Sequence, residues 1–228
     1  MKKFMALLLV AGMTLSLTAC GGSTDTAKTD QADGKDTFTV GFDQDFPPFG
    51  YVGDDGEFTG FDIEMATECA ARMGKKIVLQ PIDWDAKDME LEAGTIDCIW
   101  NGFTMNGRED QYTWTDPYMD NSQVVVVKKD SGINTLADLA GKVVEVQKES
   151  AAETALNDEE HADLMASFAQ LLSVGEYNTA FMDLESGAVD AVAIDIGVAQ
   201  FQIEGKEDQY QILDETISSE QYAVGFFL

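Results

Sequence analysis

The chain has 228 residues, 42 acidic against 14 basic side chains, one histidine and a formal charge of −28. That length can bury a real core as one large domain or two small ones, and a hydrophobic content of 45% argues against wholesale disorder. The charge argues against nucleic acid and anionic membrane surfaces as partners, and one His with three unpaired-spacing Cys argues against a Cys/His zinc site.

Lys2 and Lys3 precede a mostly apolar run from Leu7 to Leu17 that is too short to span a bilayer, so residues 1–19 read as a signal peptide. Leu17-Thr18-Ala19-Cys20, with Gly21-Gly22 next, resembles a bacterial lipobox. That resemblance implies cleavage before Cys20 and lipidation of its thiol, palmitate included; an ordinary signal peptide with an incidental Cys is the alternative. Residues 20–36 hold the lipidated Cys and then no large apolar side chain, which reads as a flexible tether. The rest is then extracytoplasmic, anchored to the outer face of the bacterial cytoplasmic membrane, at a cell surface or in a periplasm. Export permits a disulfide between Cys69 and Cys98, yet both sit among apolar residues, so a bridge and two core thiols remain open.

Thr37 to Phe42 reads as a strand, stopped by Pro47-Pro48, with a turn at Gly53 to Gly56. A helix from about Asp62 carries Phe61, Met65, Cys69 and Met73 at every fourth position and stops at Gly74. Ile77–Leu79 is a strand, Met89–Glu92 ends a helix at Gly94, and Ile96–Trp100 is a strand. Val124–Val127, Val143–Val146 and Val189–Ile194 are further strands, with short helices at Thr135–Leu139, after Ser150, and at Tyr177–Leu184. Ser150 with Glu153 three residues on is a capping-box pattern. The alternation predicts an α/β fold with mainly parallel sheets.

Leu91-Glu-Ala-Gly-Thr-Ile-Asp97-Cys-Ile99 is echoed 93 residues later by Leu184-Glu-Ser-Gly-Ala-Val-Asp190-Ala-Val192. One such unit in each half suggests two similarly built lobes. Open α/β sheets bind ligands at the carboxyl ends of strands, so a ligand site is expected at the residues just past each echo. After the first come Asn101, Gly102, Thr104 and Arg108; after the second comes Asp195. Arg108 can grip a carboxylate by two parallel hydrogen bonds or pair structurally with one of the 42 acids. Asp195 can accept an ammonium group or cap a helix. A cation on one lobe and an anion on the other suits a zwitterion. Ser150 and Ala151 either cap a helix or leave its N–H groups open to an anion. Phe46, Phe49, Tyr51, Trp84 and Trp100 can wall a pocket, although Phe49 and Trp100 individually fit a core better.

Asp43 to Phe49, Gly60-Phe61-Asp62-Ile63, Ile82-Asp83-Trp84, Leu91 to Asp97, Gly102 to Arg108, Thr115-Asp116-Pro117-Tyr118 and Asp195, in that order, resemble the polar amino-acid-binding proteins of ABC importers. These are type II periplasmic solute-binding proteins, and the similarity covers about residues 37–228. It implies a two-lobe α/β fold, each lobe a mainly parallel sheet with helices, closing around a two-strand hinge. Lobe 1 would span 37–121 and lobe 2 122–221, with the first hinge strand at its start. Residues 222–228 would be the return hinge strand, with the rest of lobe 1 missing. By motif position Arg108 would bind the α-carboxylate, helped by Thr104 and the backbone at Gly102 and Ala151. Asp195 would bind the α-ammonium, Phe46 and Trp84 would sandwich the side chain, and Asp43 would address its polar end. Asn101 joins these candidates, and Gln147 and Ser150 would line the second lobe. The family has a Gly-rich turn where this chain has Lys148-Glu149-Ser150.

The implied function is a non-enzymatic, monomeric carrier without metal or cofactor. It would deliver a free L-amino acid (polar or cationic, or cystine) to ABC permease subunits. The alternative is a dehydratase- or lyase-like enzyme on the same fold. Asp43, Asp45 and Glu149 are its candidate acids, and none stands in a recognisable catalytic set.

Overall fold

The computed structural model describes residues 35–228. The signal peptide, Cys20 and all of the tether except Lys35 and Asp36 lie outside the described residues.

The chain opens with β1 (Thr37–Phe42), and next comes a small antiparallel sheet of β2 (Asp45–Phe46), β3 (Gly50–Val52) and β4 (Phe58–Thr59). After it stand α1 (Phe61–Arg72), β5 (Lys76–Pro81), α2 (Lys87–Glu92), β6 (Cys98–Ile99) and β7 (Thr113–Trp114). The long β8 (Met119–Lys128) leads to β9 (Val143–Gln147), α3 (Ala151–Leu156), α4 (Ala162–Ser167) and β10 (Gln170–Val174). The remainder is α5 (Tyr177–Ser186), β11 (Ala191–Asp195), α6 (Ile196–Ile203), β12 (Tyr210–Ile212), β13 (Ser218–Tyr222) and β14 (Gly225–Phe226).

Two larger sheets organise these elements. The first runs β5-β1-β6-β14-β7, the second β10-β9-β11-β8-β12, with β13 also on β8. The first three strands of each sheet are parallel, and the others join antiparallel, so the sheets are mixed rather than mainly parallel. Of the antiparallel members, β8 and β13 lie on chain segments that cross between the sheets. β8 enters beside the first sheet and ends in the second; β13 pairs back along its first half, Ser218 opposite Gln123 and Tyr222 opposite Met119. The Tyr118 N–H continues that ladder to the Tyr222 carbonyl at 2.9 Å. Two adjacent strands thus carry the chain between sheets.

The sequence echo is the matched core of both sheets. α2 and α5 are each succeeded by a left-handed glycine, Gly94 at φ +70° and Gly187 at φ +80°, which reverses the chain at no steric cost. Asp97 exchanges hydrogen bonds with β1: its N–H donates to the Thr39 carbonyl and its carboxylate accepts the Thr39 N–H, both at 2.7 Å. Asp190 does the same with Val143 of β9, each at 2.9 Å. A lysine ahead of each neighbouring strand faces the same acid, Lys35 at 2.7 Å from Asp97 and Lys142 at 4.0 Å from Asp190.

The face of α1 differs from the expected stripe. Phe61 and Met73 are 44% and 47% exposed, while Ile63, Ala66 and Ala70 are buried. The two alanines let the helix lie close against Phe38, Val40, Cys98 and Trp100. Cys69 packs at the edge of that cluster and Cys98 within it, both as free thiols.

Asp97→Ala should lower unfolding free energy by about 1–3 kcal/mol, since a charged acceptor of a strand N–H is lost. Asp190→Ala should cost less, because its side chain is 40% exposed. Burial pushes the Asp97 pKa up, but hydrogen bonds from Lys35 and Thr39 carry the net shift below the ordinary value of 3.8. Its stabilisation is therefore present above about pH 4 and lost as pH falls through the lower folded value. Urea unfolding of both variants at neutral and acid pH measures the difference.

Candidate functional site

The C-terminal ends of β1, β6, β9 and β11 converge on one tight cavity of about 10 Å³. Its lining contains the residues that the family resemblance implies as ligand contacts, but not Phe49, Tyr51 or Trp100. Asp43, Phe46, Trp84, Asn101, Gly102, Thr104 and Arg108 come from the side of the first sheet. Gln147, Ser150, Ala151 and Asp195 come from the side of the second.

Arg108 lies on the loop after β6. Its Nη1 donates to the Thr104 carbonyl at 3.1 Å, and its Nη2 reaches the Glu149 carbonyl at 3.4 Å. The guanidinium lies 5.3 Å from the centre of the Phe103 ring. It makes no ion pair among the described residues. Burial lowers its pKa, against the pull of nearby Tyr112 and Glu220, but an arginine stays charged.

Asp195 ends β11 and is 4% exposed. Its side chain does not cap α6; Oδ1 instead accepts from Asn121 Nδ2 at 2.7 Å, Gln123 Nε2 at 2.7 Å and the Tyr222 hydroxyl at 2.6 Å. Burial and then the nearby Glu220 carboxylate push its pKa up to about 7, against those donors. Asp43, 5% exposed, accepts from the Asp45 N–H at 2.8 Å and from Gln147 Nε2 at 2.6 Å. Burial raises it to about 6. Asn101 is 2% exposed, and neither polar atom of its amide has a protein partner.

Gly102 forms part of the wall. Its φ of +56° is left-handed, and a Cβ there would meet the Phe46 ring at 2.9 Å. Behind it, fully buried Asp62 accepts the Gly102 N–H at 2.5 Å and the Tyr118 hydroxyl at 2.9 Å. Phe46 packs against Phe49 and Tyr177, and Trp84 stands edge-on to Phe103 at 5.5 Å. Phe49 and Trp100 are core residues and do not line the cavity. Ser150 caps α3, its Oγ accepting the Glu153 N–H at 3.1 Å. The Glu153 carboxylate takes the Glu149 N–H at 2.6 Å, so the capping box is displaced by one residue.

Sequence reasoning missed the residues that brace this cavity from behind. Glu220, Asn121, Gln123 and Tyr222 lie on β8 and β13 and carry no local motif. It also missed Lys87, 3% exposed, whose Nζ meets Glu149 at 3.0 Å from the other side of the cavity. Glu149 is the one non-glycine with positive φ among the described residues, +56°, in the turn where a glycine-rich stretch would be at ease.

The cavity therefore presents one cation and buried anions with no ionic partner, beside an unsatisfied amide. Bacterial extracellular solute-binding proteins, family 3, match residues 38–180 of this chain. The chain belongs to that family. It is similar to the L-cystine-binding protein TcyJ of Escherichia coli (strain K12), at 30% identity over 96% of this chain and 80% of that one. The arginine-binding extracellular protein ArtP of Bacillus subtilis (strain 168) is 36% identical over 64% of this chain and 56% of its own length. Among solved structures, an ABC uptake transporter substrate-binding protein from Streptococcus pneumoniae with bound histidine superposes with a TM-score of 0.79. Identity to it is 34%, with 84% of this chain and 80% of that chain covered. Arginine-bound ArgBP from T. maritima, a Gly52Ala mutant, gives 0.75 at 30% identity over 84% and 88% of the two chains. The fold is therefore the type II periplasmic-binding one, and the protein is a solute-binding protein rather than an enzyme. Among the described residues no helix is long and apolar enough to cross a membrane.

Tyr222→Phe removes one of three donors to buried Asp195. Unfolding free energy should fall by about 1–3 kcal/mol near pH 8, where the carboxylate is charged, and by less near pH 5, where it is protonated. Urea titrations at the two pH values check both the size and the sign.

Proposed function

We propose that the protein captures a free L-amino acid with a polar or cationic side chain and delivers it to the permease of an ABC importer. The observation that carries this is the pair of Arg108 and Asp195, charged groups of opposite sign, without ionic partners, on the two sides of one cavity. Arg108 holds the α-carboxylate with the backbone N–H groups of Thr104 and Ala151, because a planar fork matches a carboxylate. The expected help from the Gly102 backbone is ruled out, since its N–H is already given to Asp62. Asp195 holds the α-ammonium. Phe46 and Trp84 flank the side chain, Asn101 supplies an amide, and Gln147 and Ser150 complete the wall.

A cationic or polar ligand tail is supported by Asp43 and by the groove beyond it. That groove of about 460 Å³ shares Asp43 and Trp84 with the cavity and adds Asp45, Asp83, Asp85, Glu90 and Glu176. Relatives named for cystine and arginine, and a structure holding histidine, agree with such a tail.

The return crossing is Ser218–Tyr222, earlier than the expected 222–228, because Gly225–Phe226 already pairs within the first sheet as β14. The two lobes, 37–121 and 122–221, close on the ligand about β8 and β13. Bonds across the cleft support this: Gln147 to Asp43, Lys87 to Glu149 at 3.0 Å, and Lys148 to Asp85 at 2.6 Å. The carrier works as a monomer outside the cytoplasm, and lipidation at Cys20 tethers it to the membrane beside its permease.

Thermal melts of the protein against each L-amino acid test the reading. A cognate ligand at a hundred times its Kd should stabilise by about 2.7 kcal/mol, and Arg108→Ala should abolish that shift. A cooperative melt that no amino acid moves would sink it. Glu149→Gly separates strain from pairing. It relieves about 1–2 kcal/mol of left-handed strain, but it leaves the buried Lys87 cation without a partner in the closed form, which costs about 3 kcal/mol or more. The second effect wins, so Kd should rise roughly tenfold by isothermal calorimetry.

A further inference from the structure

Glu220 takes no part in the binding reading, yet it is 7% exposed and lies on β13 directly behind the cavity. Its Oε1 accepts from Thr104 Oγ1, Asn121 Nδ2 and Gln123 Nε2, each at 2.7 Å. The same two amide nitrogens donate to Asp195 Oδ1, again at 2.7 Å. Each amide nitrogen carries two protons, so one goes to each acid and the two carboxylate oxygens are near neighbours. No Lys or Arg lies within 4.0 Å of either among the described residues.

The other charged and titratable groups that face this pair are few. Arg108 on the loop after β6 attracts both acids at longer range. The Tyr222 hydroxyl donates to Asp195 at 2.6 Å, while Tyr177 at the start of α5 and Tyr118 before β8 stay protonated because burial pushes their hydroxyls up. Two buried like charges this close cannot both ionise freely. A second observation points to an occupant of opposite character. Gln123, behind the cavity, keeps a buried side-chain carbonyl oxygen without a protein donor. Asn101, in the cavity, leaves both its carbonyl oxygen and its amide nitrogen without protein partners, so it can meet an ammonium and an acceptor together. An ammonium brings donors as well as charge.

We infer that Asp195 and Glu220 act as one site for one positive charge: a proton when no amino acid is bound, and the ligand's ammonium when one is. The inference rests on the amino-acid reading of the cavity. Binding then breaks one carboxyl O–H bond and sends the proton to solvent. The ammonium arrives with its three N–H bonds intact. The acid pair goes from one negative charge to two, and the incoming charge offsets the change. Glu220 is a positioning residue here, acting through Thr104 and the shared amides.

Calorimetry of the whole protein with L-arginine, L-glutamine and L-cystine, in two buffers of different ionisation enthalpy, reads the released proton. Near pH 6 up to about one proton should leave per ligand bound. The Kd should improve by up to about tenfold per pH unit below about pH 7 and level off above it. Glu220→Gln keeps the acceptor oxygen but should flatten both effects, which a purely structural role would not do. Equal heats in the two buffers with a flat pH profile overturn the inference. Carboxyl carbon NMR of the unliganded wild-type protein gives a readout without ligand or variant. One carboxyl of the pair should titrate near neutrality, and two ordinary titrations overturn the shared proton. A carboxyl titrating near neutrality with no amino acid bound at any pH would instead overturn the amino-acid reading.

Discussion

The junction of β8, β11 and β13 carries the constraint on which the rest of the molecule depends. Two carboxylates are buried there, and removing charge from water is costly unless each lone pair finds a donor. Asn121 and Gln123 on β8, Tyr222 on β13 and Thr104 on the loop after β6 supply those donors. They come from both sheets and from both connecting strands. The polar network therefore fixes the register of β8 against β13 and places the floor of the cavity in one step. A shift of one residue would turn Gln123 and Glu220 away from each other.

The repeat explains why the cavity lies where it does. Each sheet uses an aspartate at the entry of its third strand to clasp its second strand, Asp97 on Thr39 and Asp190 on Val143. The strands then end facing one another across the same space. The first releases a loop with Arg108 and the second stops at Asp195, so one scaffold used twice offers charges of opposite sign to one cavity. An amino acid backbone has that charge pattern, which is why the geometry favours a zwitterion over a simple anion or cation.

Bonds between the two sides run across the cavity and its rim. Lys87 is buried against Glu149, and Glu149 is held in a left-handed conformation to reach it and to offer its carbonyl to Arg108. The strained turn thus joins Arg108 to the Lys87–Glu149 pair. Strain of this kind persists where surrounding contacts over-determine it.

Much of this was legible in the sequence. The echo 93 residues apart, much of the strand and helix order, and Arg108, Asp195 and Ser150 derive from local patterns: glycine stops, a cap, and polar side chains at strand ends. Gln147 and the roles of Asp43, Phe46 and Trp84 come from the family resemblance. Local chemistry sets those features, so a linear reading reaches them. The buried face of α1 escaped that reading, because Ala66 and Ala70 are chosen for close approach to the sheet rather than for hydrophobic bulk. Glu220, Asp62 and Lys87 escaped it too. Each looks like one more acid or base on a highly charged chain, and only their partners, 40 or more residues away, mark them as buried. Long-range pairing decided their roles, since burial is a property of what the fold brings against a residue and not of the residue itself.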